Sequence, residues 1–129
     1  MNKKNIKILI VDDESDFRQL MKFWLESKEY MVIEAQDGQT AIQMVKDSNP
    51  DVIFMDLIMP VMDGAQAIKR IRDFNKDVPI ILISAHVNDP RVKEVMACGI
   101  SGIFYKGKDF QESLLLLEAA LRTHKKLKK

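Results

Sequence analysis

The sequence predicts an α/β fold: a doubly wound, five-stranded parallel sheet with helices on both faces. Three observations predict it. Short, unbroken apolar runs rich in Ile and Val recur along the chain, as in strands buried on both sides. Segments of helical periodicity separate them, so strand and helix alternate five times. The connections are short, and strand–helix–strand repeats of this kind imply right-handed crossovers and a parallel sheet. A length of 129 residues suits one domain spanning 1–129.

The first strand is Lys7–Val11, ended by Asp12-Asp13. The first helix follows, with Phe17, Leu20, Met21, Trp24 and Leu25 forming one apolar stripe at helical spacing. A weaker strand reads at Met31–Ala35. The second helix runs from about Gln39 to Asp47, with Ala41, Met44, Val45 and Ser48 on one face. The third strand, Val52–Met55, is continuous and apolar and stops at Asp56. After Gly64 a third helix carries Ile68 and Ile71. The fourth strand is Ile80–Ile83, ended by Ser84. A short fourth helix holds Val92, Val95 and Met96 and stops at Gly99, a residue suited to a left-handed helix end. The last strand is Gly102–Tyr105, followed by Lys106. The last helix sets Phe110, Leu114, Leu117 and Leu121 along one side and leaves Leu115 and Leu116 off that stripe, a candidate exposed patch.

Composition excludes several classes. A net charge of +1 gives no general attraction to nucleic acid or membrane. No apolar run reaches the ~18 residues that span a bilayer, and the apolar segment near the start is cut short by Asp12, so no signal peptide is expected. The single cysteine, Cys98, excludes an internal disulfide framework, suits a reducing cytoplasm and reads as a small buried apolar residue. His86 and His124 lack the neighbours of a zinc site. The lysine-rich end within 122–129 reads as a solvated helix terminus.

The informative residues are polar ones at strand ends. Asp is disfavoured in strands and costly to bury unpaired, so Asp56 after a buried strand needs a partner that favours its charge. Asp12, Asp13, Asp56, Ser84 and Lys106 all fall at or just after strand ends, and folds of this kind bind ligands beyond those ends. Three converging carboxylates suggest a divalent cation, with chemistry at one of them. The bland readings are a capping role for Asp12 and Asp13, a turn role for Ser84 and a surface position for Lys106. Their joint placement favours a site.

The loop Asp56-x-x-Met59-Pro60-x-Met62-Asp63-Gly64, with Asp12-Asp13, Ser84-Ala85 and Lys106 in order, resembles the receiver domain of two-component response regulators, including the small chemotaxis type. The resemblance covers about Lys7 to Leu121. It implies a flavodoxin-like fold with strand order 2-1-3-4-5, which the hydrophobic pattern alone does not supply. It further implies that Asp56 accepts a phosphoryl group from the phosphohistidine of a sensor histidine kinase or phosphotransfer protein, in a Mg²⁺-dependent reaction with Mn²⁺ as an alternative. By the same resemblance Asp13, Asp56 and the Ile58 backbone carbonyl would bind the metal directly, Asp12 largely through water, and Lys106 and Ser84 would bind the phosphoryl oxygens. The output would be altered protein binding, with no turnover of external substrate and with phosphorylation-dependent homodimerisation through the last helices as one form of it. No nucleic-acid partner is expected for this chain alone.

Departures from the family pattern qualify the switch. Ile103 stands where most receivers carry an aromatic, and Tyr105, on the same side of the strand, is the substitute candidate, with Phe104 facing the other way. Gly107 replaces the usual proline after the lysine. A non-proline cis bond costs ~3 kcal/mol, so a trans Lys106–Gly107 bond is expected. Ile58 and His86, each two residues past a site residue, would tune the phosphoryl lifetime; an apolar Ile58 cannot orient water, which predicts a long-lived phosphoryl group. Competing readings are a receiver fragment of a larger regulator or hybrid kinase, a nucleotide- or FMN-binding flavodoxin-like protein, a Mg²⁺-dependent phosphatase, and a receiver-like domain working without phosphate. The flavin reading is disfavoured because Asp12-Asp13-Glu14 replaces a phosphate cradle.

Overall fold

A computed structural model describes residues 5–123. The elements alternate as expected: β1 (Lys7–Val11), α1 (Ser15–Ser27), β2 (Met31–Ala35), α2 (Gly38–Ser48), β3 (Val52–Asp56), α3 (Gly64–Phe74), β4 (Ile80–Ser84), α4 (Arg91–Met96), β5 (Gly102–Tyr105) and α5 (Phe110–Thr123). His124 and the terminal lysines lie outside the described residues. The sheet has the order β2-β1-β3-β4-β5, and every pairing is parallel. One transverse row runs Glu34, Ile10, Phe54, Ile81 in register.

Alternation along the strands splits the core in two. Ile8, Ile10, Phe54, Ile81 and Ile83 pack with Met21 and Leu25 of α1 and Leu114 and Leu117 of α5. Leu9, Val11, Ile53, Met55 and Leu82 face the other way, against Ile42 and Val45 of α2, Ile68 and Ile71 of α3 and Val95 of α4. β3 and β4 are buried throughout, the physical reason their sequences are apolar without interruption.

Local chemistry sets the helix ends. Asp37 caps α2 by accepting from the Thr40 N–H, and Asn49 ends that helix in the left-handed region at φ 48°. Asp63 and Gln66 form a reciprocal capping box on α3. The α1 N-cap is Glu14, with no side-chain cap, so neither Asp12 nor Asp13 occupies the capping position. Gly99 adopts φ +78° as its position required.

Three details correct the sequence reading. Leu20 and Met96 are 60% exposed, so the apolar stripes of α1 and α4 are narrower than their spacing implies. α1 buries Met21 and Leu25, with Phe17 and Trp24 packed at their margin; six-residue α4 buries Val95 alone. Cys98 is half-buried rather than buried. On α5, Leu115 is exposed as expected, whereas Leu116 packs partly into the core, against Gly102.

Candidate functional site

The carboxyl ends of β1 and β3 are adjacent at the centre of the sheet, and the chains leaving them diverge to opposite faces. A crevice opens there. Asp12 leaves β1 fully buried, Asp56 ends β3 at 3% exposed, and Asp13 is exposed beside them. Each can offer one oxygen such that the three oxygens lie within 4.8 Å of one another.

The turn carrying Asp12 and Asp13 is held from several directions. The Asp12 N–H donates to the Ala35 carbonyl at 3.2 Å, and Asp12 Oδ1 accepts from the Glu14 N–H at 2.9 Å. The loop after Asp56 is fixed by Leu57 N–H to Ile83 O at 2.9 Å and Gly64 N–H to Leu57 O at 2.8 Å. Gly64 is required by close approach: a Cβ there would meet the Asp56 carbonyl oxygen at 2.2 Å.

Lys106 closes the cup from β5. Its Nζ stands 3.0 Å from Asp12 Oδ2 and 3.5 Å from Asp56 Oδ2, contacts Glu14, and lies 4.8 Å from the Phe17 ring centre. Burial alone would pull the Lys106 amine down; its bonds to Glu14 and Asp12 and the field of Asp56 outweigh that and raise it. Asp56 moves the opposite way from an ordinary carboxylate. Burial first, and the facing charge of Asp12 second, push its carboxyl up to about 8, against the pull of Lys106 and the Ile58 N–H. One lysine does not offset two buried carboxylates. Despite the nearby amine, no well-aligned hydrogen bond reaches buried Asp12 Oδ2. Hard oxygen donors, excess negative charge and an under-satisfied buried oxygen fit a hard divalent cation.

Ser84 is buried at the end of β4, its hydroxyl donating to the His86 carbonyl at 2.7 Å and accepting from the His86 N–H at 3.2 Å. The Lys106 N–H donates to the Ser84 carbonyl at 2.8 Å, which ties the residue just past β5 to the end of β4, where Ser84 is paired with Tyr105. Ile58 is 41% exposed at the mouth and His86 is exposed beyond it. Ile103 packs against the α3 and α4 side, Phe104 is buried on the α1 and α5 side, and half-buried Tyr105 borders a cleft with Glu112, Leu115 and Leu116. The Lys106–Gly107 bond is trans, with Gly107 at φ +93°.

Residues 8–118 match the family description of the response regulator receiver domain. The chain belongs to the response regulator receiver family. This receiver is 32% identical over 106 residues to the chemotaxis protein CheY of Halobacterium salinarum, covering 82% of this chain and 87% of that protein. It is 33% identical over 111 residues to the transcriptional regulatory protein DegU of Brevibacillus brevis, covering 84% of this chain but 47% of DegU. Its fold matches the Vibrio cholerae chemotaxis protein CheY4 with a TM-score of 0.83 at 30% identity, over 89% of this chain and 98% of that one. The receiver spans about half the length or less of the transcriptional regulators it matches. Receivers are signalling modules that take a phosphoryl group from sensor histidine kinases and act on downstream effectors. No described helix is long and apolar enough to cross a membrane.

Four residues around the cup escaped the sequence reading: Glu14 and Phe17 against Lys106, and the pair Arg18 and Glu34 behind Asp12. Glu34 carried a signal, an acid inside an otherwise apolar strand where such residues are disfavoured. The others carried none: the Lys106 contacts of Glu14 and Phe17 are distant in sequence, and the turn that brings Arg18 back to Asp12 is not written in a motif.

Proposed function

We propose that Asp56 is the phosphoacceptor of this receiver and that Asp12, Asp13, Asp56 and the Ile58 carbonyl hold Mg²⁺, with Mn²⁺ as a substitute. The observation that carries the reading is the cup itself: three carboxylates within 4.8 Å, two of them buried, with one lysine facing them. A bound divalent cation supplies charge neutralisation for the nucleophile and the transferring oxygens. In the reaction an Asp56 oxygen attacks the phosphorus of a phosphohistidine. The proton that burial holds on Asp56 is first given up to solvent. The O–P bond then forms as the N–P bond breaks, and the ring nitrogen keeps the bonding pair, so that a phosphohistidine protonated on its other nitrogen departs as neutral imidazole. Lys106 gives a phosphoryl oxygen a compact positive charge once it exchanges Glu14 for that partner. Ser84 turns its hydroxyl from the His86 carbonyl toward another oxygen, at the cost of one local hydrogen bond.

Half-buried Tyr105 stands beside Ser84 on β5 and half-buried Ile103 beside Leu82, and the two would read movement of Ser84 as a packing change rather than an aromatic swing. The outcome would be altered protein binding, including homodimerisation across the cleft edged by Leu115, and no turnover of external substrates. A cytoplasmic kinase domain is the expected donor. Match to part of longer regulators favours, as a second reading, a receiver unit of such a protein.

The test is mass spectrometry after incubation with Mg²⁺ and a small acyl phosphate. The chain should gain one phosphate, and neither Asp56→Asn nor metal-chelated protein should. Equal labelling of Asp56→Asn would remove Asp56 from the role.

A further inference from the structure

We propose that Arg18, oriented by Glu34, is a positioning residue for the acid cup, setting the peptide from which Asp13 projects and hence the affinity for divalent cation. The inference rests on the metal reading above. Arg18 Nη1 donates to the Asp12 backbone carbonyl at 2.6 Å, and its Nε donates to Glu34 Oε1 at 2.9 Å. The Arg18 side chain is 12% exposed and that of Glu34 26%, so these bonds are partly shielded from water. Glu34 stands on edge strand β2 in register with Ile10, and its second oxygen pairs with Lys22 at 3.2 Å. Burial would raise the Glu34 carboxyl, but the hydrogen bonds from Arg18 and Lys22 outweigh it and hold the group below the ordinary range.

The peptide unit is planar, so the direction of the Asp12 carbonyl fixes the Asp13 N–H and Cα in the same plane. Exposed Asp13 is therefore aimed by the backbone that carries it. The Asp12 N–H is already tied to Ala35 of β2, and Arg18 ties the carbonyl side to Glu34 of the same strand. Both ends of the turn thus take their position from β2. A planar fork can bridge a carbonyl and a carboxylate at once; a lysine amine at that position has neither the shape nor the spread of donors. Groups behind a metal site typically change its affinity 10–100-fold.

Two lesser roles predict different results. If Arg18 only docks α1 on β2, its loss lowers stability and leaves cation affinity alone. If Arg18 acts only as a nearby positive charge, its removal tightens cation binding. Positioning predicts weaker binding. The experiment is calorimetric titration of the full chain with Mg²⁺, each variant held well below its own unfolding temperature. Arg18→Ala should weaken binding about tenfold or more, Arg18→Lys less, and Glu34→Ala several-fold. Glu34→Gln, which keeps an acceptor oxygen for Arg18, should stay within about twofold of the unaltered chain. Unchanged or tighter binding in folded Arg18→Ala overturns the inference. Should Arg18→Ala fail to fold, Arg18→Lys and Glu34→Ala decide by the same criterion. An unaltered chain that binds no Mg²⁺ sinks the metal reading itself, whereas an unaltered chain that binds while the variants match it sinks only the role of Arg18.

Discussion

At the scale of single residues, the cup is an arrangement of unfavourable choices tolerated for their chemistry. Asp12 and Asp56 are buried facing each other, and the strain shows in the Asp56 carboxyl, raised from 3.8 to about 8. The folded chain therefore binds more protons at this group than the unfolded chain, so metal-free stability falls as pH rises through that interval. Asp56→Asn removes the dependence. In chelator, the variant should be more stable than the unaltered chain near pH 8 by on the order of 1–3 kcal/mol, and the two should converge as pH approaches 4. Denaturant midpoints across that range measure it; parallel curves would mean that burial does not perturb Asp56. Ile58 makes a second, separate prediction. Its apolar side chain at the mouth offers attacking water no hydrogen bond, so the aspartyl phosphate should outlast seconds, and Ile58→Asn should shorten its life several-fold or more. Following phosphate loss in both proteins tests this, and equal lifetimes would assign the control to His86 instead. Of these residues Asp12, Asp13, Asp56, Ser84 and Lys106 were legible in the sequence because each sits at a strand end. Glu14, Arg18 and Phe17 were not, because long side chains reach partners that only the folded chain brings close.

At the scale of elements, unbroken apolar runs marked β3 and β4 without ambiguity because both faces are covered. The edge strands were fainter for the same reason in reverse: Met31 is 48% exposed and Glu34 belongs to an ion pair. On α1 helical spacing counts Leu20 with Phe17, whereas the helix covers the sheet along a narrower line through Met21 and Leu25. The loop from β3 to α3 carries its own strain. Val61 is fully exposed at φ 68°, and the Met62 N–H folds back to the Pro60 carbonyl at 2.8 Å. A β-branched residue in the left-handed region is costly, while Met62 beyond it packs partly into the core beside Gly38. Val61→Gly should relieve that strain and stabilise the fold by about 1 kcal/mol net of the added chain entropy. Gly64→Ala should do the reverse, since its Cβ would collide with the Asp56 carbonyl at 2.2 Å; about 1–3 kcal/mol should be lost, together with phosphoryl acceptance. Urea unfolding of both variants, with labelling of the second, separates the effects. A Val61→Gly loss of stability would show that the side chain contributes packing its exposure conceals.

At the scale of the whole molecule, hydrophobic patterning encodes which segments are strands and which faces are buried, but not which strands are neighbours. The order β2-β1-β3-β4-β5 was implied by the family resemblance of the strand-end residues. That order makes the site, because it sets the ends of β1 and β3 side by side while their helices leave to opposite faces. Asp12 and Asp56 hold the ends of the central strand β3 and its neighbour β1, so repulsion between them acts on the part of the sheet joining both cores. A cation bound there stabilises the native state as a unit, by about 2.7 kcal/mol at a hundredfold excess over its dissociation constant. On the metal reading, a divalent cation at the cup would compete with the proton that burial keeps on Asp56. Below the raised value of about 8 it must displace that proton, and above it the carboxylate is free. Stabilisation by a fixed Mg²⁺ concentration should therefore grow with pH, from small near pH 6 to several degrees of unfolding temperature near pH 8.5. Asp56→Asn should show a smaller and flatter response at every pH. Thermal unfolding with and without Mg²⁺ at both pH values reads this directly. A Mg²⁺ shift equal at the two pH values would mean that the proton and the metal do not share Asp56, and that the cation binds elsewhere on the sheet edge.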